Sequence, residues 1–198
     1  MPKKDDVTVV TVAPSIPSDE PSYKDFDTFT SAILNSTNYY RAQHNASSVS
    51  WNDTLQDFAD DYLDDSSCKM EHSGGPYGEN LAIGYSNATA AVEAWGDERE
   101  DYNFKKGKFD KSTGHFTQLV WKDTDSVGCG RKLCKEDDEG ADIPGWYVVC
   151  EYWPRGNVEG EFEDEVVKGE YDDGALMSTV NCVVMGALGL GATLMNLM

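Results

Sequence analysis

Hydrophobic positions recur every three to four residues in three parts of the chain and predict three helices. The first begins at Asp25, a residue suited to capping a helix N-terminus, and runs towards His44. The second has the clearest helical spacing, and the third is expected around residues 87–99. The positions that define the three apolar faces are Phe26, Phe29, Ile33, Tyr40, Leu55, Phe58, Ala59, Tyr62, Leu63, Val92 and Trp95.

Two later segments have the composition of strands. The segment Gly145–Trp153 is rich in aromatic and β-branched residues and has no polar face, which predicts a strand covered on both sides. A shorter strand is expected over Ser126–Leu133. Helices flanking a small sheet predict an α+β fold, a three-layer α-β-α sandwich.

Composition divides the chain into four regions. Residues 1–24, with three prolines among Ser and acidic residues, are expected to be a disordered linker, and residues 25–160 the folded domain. Residues 161–173 are expected to be an acidic linker. Residues 174–198 contain no charged residue and form an apolar tail.

The apolar tail has three interpretations. Small residues at 173–175, a short spacer and a terminal apolar stretch are typical of a glycolipid (GPI) anchor signal, which we favour. Cleavage of that signal would also remove Cys182, the fifth cysteine of the chain. The alternatives are a retained membrane anchor, for which the tail is long enough, and a buried or disordered end.

The net charge of −20 excludes a nucleic-acid partner, because phosphate binding requires clusters of Lys and Arg. Many of the acidic residues lie outside the predicted core, at 136–142 and 159–173. We expect a monomeric protein with a strongly acidic exterior.

Cysteines and sequons point to the secretory route. The chain has no CxxC pair, which disfavours a zinc ribbon. Four glycosylation sequons lie close together beside four core cysteines, a combination typical of an oxidising compartment; they begin at Asn35, Asn45, Asn52 and Asn87. Since no apolar signal segment follows Met1–Asp6, we expect the printed sequence to lack its natural start; the alternative is that the chain is not secreted.

Two of the three histidines lie in apolar or glycine-rich segments, as do two glutamates: His72, Glu79, Glu98 and His115. Two imidazoles facing one cleft can bind a divalent ion such as zinc or magnesium, with the glutamates orienting the rings or metal-bound water. The alternative is a hydrogen-bonded tetrad with a structural role. No Ser or Cys lies in a recognisable nucleophile motif.

Four ordered motifs resemble the signatures of the CAP superfamily, which includes cysteine-rich secretory, antigen 5 and plant pathogenesis-related 1 proteins. They are Gly78–Ala82, Gly114–Trp121, Gly145–Tyr152 and Pro154-x-Gly156-Asn157. The similarity spans about residues 26–160 and is greatest to fungal secreted members, some of which bind sterols. It implies the α-β-α sandwich, a central cavity with the tetrad named above, the disulfides Cys68–Cys134 and Cys129–Cys150, and a structural role for His44.

The spacing Tyr102-x-Phe104-x4-Phe109 resembles the caveolin-binding-like loop of sterol-binding fungal members. Three aromatics on a glycine-containing loop would give a flat ring system an adaptable apolar face. Interleaved lysines could meet a sterol ester or a lipid headgroup. The alternative is that the aromatics pack the loop onto the domain.

We therefore expect a secreted or cell-surface protein, not an enzyme, that binds and exports sterols and in addition fatty acids. One alternative is a metal-dependent hydrolase in which Glu79 or Glu98 is the general base. The other is a cell-wall or host-interaction module that takes no small ligand.

Overall fold

A computed structural model describes residues 18–135 and 144–169. The described residues form six helices, one 3₁₀ turn and four strands. The helices are α1 Pro21–Lys24, α2 Phe26–Gln43, α3 Asp53–Asp65, α4 Ala88–Asp97, α5 Gly114–Leu119 and α6 Phe162–Glu165, with the 3₁₀ turn at Glu98–Glu100. The strands are β1 Ser50–Trp51, β2 Gly78–Ile83, β3 Ser126–Cys134 and β4 Gly145–Trp153.

The three predicted helices are confirmed, and each begins with a side-chain cap. The Asp25 carboxylate accepts from the Thr28 N–H at 2.8 Å, which satisfies one of the unpaired donors at the start of α2. Asn52 and Asn87 cap the N-termini of α3 and α4 in the same way.

The strands form one sheet in the order β1-β3-β4-β2. Strand β4 is antiparallel to both β2 and β3, and it is buried from Gly145 to Tyr152, so the prediction of a strand covered on both sides is confirmed. Strand β1 pairs with β3 in parallel and was not predicted, because two residues are too few to produce a periodic pattern.

Alternate residues of β4 face two separate cores. Trp146, Val148, Cys150 and Tyr152 lie in the larger core with α2, α4 and α5, whereas Tyr147 and Val149 lie in the smaller core beneath α3. Helices therefore cover both faces of the sheet, which confirms the three-layer sandwich.

Both expected disulfides are present. Cys129 and Cys150 lie directly opposite each other on β3 and β4. Cys68–Cys134 fastens the loop that follows α3 to the end of β3.

The folded domain is longer than the sequence indicated. Tyr23 is buried and stacks on Trp146 with 5.1 Å between ring centroids, and Phe162, 1% exposed, packs edge-on against Trp121 at 5.1 Å. The packed core therefore extends beyond the expected bounds of 25 and 160, to Tyr23 on one side and Val166 on the other. A single buried aromatic in a polar segment produces no periodicity, so the pattern could not reveal it.

The rest of the predicted N-terminal linker, the acidic stretch 136–142 and the apolar tail lie outside the described residues. Within the described ranges, no helix is long and apolar enough to cross a membrane.

Candidate functional site

Two His–Glu pairs form the centre of the site. His72 Nδ1 lies 2.5 Å from a carboxylate oxygen of Glu79, and His115 Nδ1 lies 2.6 Å from one of Glu98. A carboxylate at Nδ1 selects the tautomer with the proton on that nitrogen, which leaves a lone pair on Nε2. Each ring therefore has a fixed orientation and a nitrogen able to accept a proton or bind a metal.

Glu98 holds the start of α5 as well as the histidine ring. Its second oxygen accepts the backbone N–H groups of His115 and Phe116, both at 3.0 Å. Trp95 stacks on the His115 ring at 6.2 Å and covers one of its faces. The motif at 114–121 is thus tied to the 3₁₀ turn after α4.

Glu79 holds its own loop in a similar way. It accepts the backbone N–H of Ser73 at 3.1 Å in addition to the His72 ring. The side chain of His72 is 67% exposed and that of Glu79 only 7%. The buried carboxylate therefore presents an imidazole to solvent.

Adjacent residues of β2 join the two pairs. Glu79 belongs to the first pair, and the neighbouring Asn80 donates from Nδ2 to the backbone oxygen of His115 at 3.0 Å. The four residues predicted as a tetrad are therefore attached to one segment of strand β2.

Glu151 is a further acidic residue beside this site that the sequence analysis missed. It is 1% exposed and pairs with Glu79 in the register of β2 and β4. Burial raises the pKa of Glu151 to about 9, and the negative charge of Glu79 acts in the same direction. Neither Glu151 oxygen accepts a hydrogen bond from the described residues, whereas the protonated carboxyl can donate one to Glu79. Glu151 is therefore neutral at pH 7 and holds a proton beside the Glu79 carboxylate. An acidic residue within an otherwise apolar strand was the available signal.

The two histidines do not supply the four protein ligands of a structural zinc site. The two Nε2 lone pairs supply two ligands of the right chemistry. The described ranges contain no group of three or more His, Cys, Asp or Glu residues arranged for a metal. Most protein zinc sites have at least three protein ligands, so water would have to complete this one.

The three aromatics of the predicted sterol loop occupy different environments. Tyr102 is 6% exposed and packs against Phe104 and Phe116, with ring centroids 4.9 and 5.7 Å away. Phe104 is half-buried and stacks on His44 at 5.8 Å. Phe109, in contrast, is 48% exposed. Two of the rings thus pack the loop onto the domain, and about half of the third is exposed to solvent.

The Tyr102 hydroxyl is buried and has no hydrogen-bond partner among the described residues. Such a group has lost its contacts with water and gained none in exchange, at an expense of about 1–3 kcal/mol. The three lysines interleaved with the aromatics, Lys105, Lys106 and Lys108, are exposed.

The other predicted residues are placed as follows. His44 is fully buried against Phe104 and Phe116, in keeping with a structural role. Asn35 and Asn45 are exposed. Asn52 and Asn87 are half-buried and use Oδ1 as helix caps, and Asn87 also donates from Nδ2 to the Ser86 hydroxyl at 3.3 Å.

Residues 34–152 match the model of the CAP, or cysteine-rich secretory protein, family. The chain belongs to this family. The resemblance found in its four motifs is therefore confirmed, and the matched range contains all four tetrad residues and both disulfides.

Relatives of this CAP domain include two fungal proteins. Protein PRY2 of Saccharomyces cerevisiae is 45% identical over 142 residues, which are 70% of this chain and 41% of the relative. Secreted protein RBT4 of Candida albicans is 40% identical over 136 residues, 67% of this chain and 36% of the relative. The chain thus spans about two-fifths of the length of these relatives.

A solved structure has the same fold. The match to the structure of NaASP2 with Zn²⁺ covers 71% of this chain and 86% of the NaASP2 chain, with a TM-score of 0.51 and 24% identity.

Proposed function

We propose that this CAP domain is a secreted lipid carrier, not an enzyme, that binds and exports a sterol at residues 102–113, which we term the aromatic loop. The name of RBT4 as a secreted protein and the disulfides support an extracellular site of action. Burial of a sterol ring system would contribute roughly 25 cal/mol per Å² of apolar area, before the loss of freedom on binding is subtracted.

The observation that carries this proposal is the unpartnered Tyr102 hydroxyl, surrounded by aromatic rings. Sterols combine a flat apolar body with one hydroxyl group. That hydroxyl would give Tyr102 the hydrogen bond it lacks, while Phe104 and Phe116 contact the rings. The site would thereby prefer a sterol with a free hydroxyl to its ester.

Exposed groups of the loop suit contact with a membrane surface. Phe109 offers an apolar ring, and the three lysines offer ammonium groups to lipid phosphates. A fatty acid would be a second ligand, because its carboxylate can pair with the same lysines.

Tyr102→Phe is the direct test. Removal of a hydroxyl that has no partner should leave stability unchanged or raise it by about 1 kcal/mol, while the affinity for a fluorescent sterol falls about 5- to 10-fold. Tyr23→Phe is the matched control. The Tyr23 hydroxyl donates to the Tyr85 carbonyl at 3.1 Å, so this variant should lose stability but keep its sterol affinity. Equal sterol affinities for Tyr102→Phe and the unaltered protein would contradict the proposal.

We also propose that the Nε2 atoms of His72 and His115 together bind one divalent ion, zinc or magnesium. The fixed tautomers of both rings support this, and NaASP2 was solved with Zn²⁺. Calorimetric titration with zinc should give one site that is lost in His72→Ala and in His115→Ala. If both variants retain full affinity, the ligands lie elsewhere. Ester or peptide hydrolysis that a chelator abolishes would instead favour the hydrolase alternative.

The four sequons and the apolar tail lead to the last part of the proposal. We propose N-glycans at the four sequon asparagines and attachment to the cell surface through a glycolipid anchor. The mass of the mature protein, before and after glycosidase and phospholipase treatment, would measure both modifications.

A further inference from the structure

Residues 161–169, which we term the clasp, return across the aromatic loop after the last strand. The Phe162 and Phe109 rings contact each other with 6.4 Å between centroids. A Cβ added to Gly107, whose φ is +51°, would lie 2.5 Å from the Glu163 Cγ. The positive φ and this close approach both favour glycine where the loop meets the clasp.

The clasp is bonded to the domain just after this contact. Lys122 donates from Nζ to the Asp164 carbonyl at 2.8 Å, and the Asp123 N–H donates to the Glu165 carboxylate at 2.8 Å. Further along, His44 Nδ1 lies 2.9 Å from the carbonyl oxygen of Val167, to which it donates in the Nδ1-protonated tautomer. The clasp is thus anchored to the domain by these polar groups and by the buried Phe162, whereas its contacts with the loop are made by packing alone.

The inner side of the loop is already covered. Phe116 contacts the rings of Tyr102 and Phe104, and His44 stacks on Phe104. A sterol that reaches the Tyr102 hydroxyl must therefore enter between the loop and the domain. Lifting the loop separates Gly107 from Glu163 and Phe109 from Phe162.

We propose that the clasp is the latch of the lipid site: the aromatic loop admits a sterol only after it has separated from Phe162 and Glu163, and this separation limits the rate of uptake. The proposal rests on the proposed function, because it concerns the control of the same site. It also makes a prediction for the protein without ligand, since the clasp should determine how often the loop opens.

A reversible crosslink tests the latch. A Cβ placed on Gly107 would lie 3.5 Å from the Glu163 Cβ, within the range that a disulfide spans. The variant Gly107→Cys/Glu163→Cys, in the full chain with Cys182→Ser, should take up sterol at least about tenfold more slowly when oxidised than after mild reduction.

Two controls accompany the crosslink. Gly107→Ser/Glu163→Ser carries the same backbone strain without a bond, and the unaltered protein in the same reductant reports on the native disulfides. The Ser/Ser variant should take up sterol at the rate of the reduced variant, and the unaltered protein should take it up at the same rate with and without reductant. Equal rates for the oxidised and reduced forms would overturn the proposal.

Proteolysis measures the latch without any lipid. Trypsin can cut the loop at Lys105, Lys106 and Lys108, and the cleaved bonds can be identified by mass spectrometry. Phe162→Ala should accelerate these cuts about tenfold, and the crosslink should slow them. Leu63→Ala, in the core on the other face of the sheet, controls for a general loss of stability.

The outcomes separate the two proposals. Equal acceleration by Phe162→Ala and Leu63→Ala, at matched stability, would overturn the latch. The protein could bind no sterol while Phe162→Ala and the crosslink still change the cleavage rates as expected. That result would contradict the proposed function but support control of the loop by the clasp.

Discussion

Carboxylates give each site histidine its orientation, and the same carboxylates hold the local backbone. Glu98 accepts two backbone N–H groups beside the His115 ring, and Glu79 accepts the Ser73 N–H beside His72. The structural and metal-binding interpretations of the tetrad are therefore compatible. One set of hydrogen bonds fixes both the chain and the tautomers.

Glu151 makes stability depend on pH. Its pKa is raised on folding to about 9 from an ordinary 4.5, so the folded state keeps a proton that the unfolded chain releases. This contribution is complete below about pH 4.5 and is lost as the pH rises towards 9. Glu151→Gln keeps a hydrogen-bond donor but cannot ionise, so this loss of stability with rising pH should be absent from the variant.

Denaturant unfolding of both proteins at pH 5, 7 and 9 checks this prediction. The free energy of unfolding of Glu151→Gln, relative to that of the unaltered protein, should increase with pH. Glu159→Gln, at an exposed position, gives the baseline for removal of one surface charge. A difference between Glu151→Gln and the unaltered protein that is constant across the three pH values would contradict a raised pKa.

At the scale of elements, the helix caps include two of the sequon asparagines. Asn52 accepts the backbone N–H groups of Thr54 and Leu55 at the start of α3, at 2.9 and 3.4 Å. Helix α3 in turn covers the sheet face that carries the smaller core. A substitution that removes the glycan at Asn52 therefore also tests the capping of helix α3.

Asn52→Ala and Asn52→Asp separate the two roles. Alanine should lower the free energy of unfolding by about 1 kcal/mol, whereas aspartate, itself a good cap, should leave it nearly unchanged. In secreted material both variants should lose the mass of one glycan. Equal stabilities of the two variants, measured without glycans, would argue against the cap.

At the scale of the whole molecule, the Cys68–Cys134 disulfide joins residues 66 apart in sequence and fastens the chain just before His72. By the loop-entropy model, its removal in Cys68→Ala/Cys134→Ala should lower the free energy of unfolding by about 4 kcal/mol. The bridge Cys129–Cys150, with a separation of 21, should contribute about 3 kcal/mol through the same effect. Denaturant midpoints under non-reducing conditions check both values, and a midpoint unchanged from the native protein would contradict the prediction.

The sequence predicted most of the architecture because its long elements are amphipathic or wholly apolar. Asp25 and the Leu55–Leu63 spacing located two helices, and the run to Trp153 located the central strand. Features without periodicity were missed: β1, the buried aromatic of α1 and the clasp. Resemblance to a family, rather than spacing, supplied the disulfide pairs.

The sequence by itself determined the family, the sandwich and the residues of the tetrad, because short-range patterns and motifs encode them. Tertiary structure alone decided which carboxylate holds which histidine and that Glu151 stays protonated. It also turned Tyr102 and Phe104 inward and laid the clasp across the aromatic loop. These properties depend on burial and on contacts between distant segments, which are set only when the layers pack together.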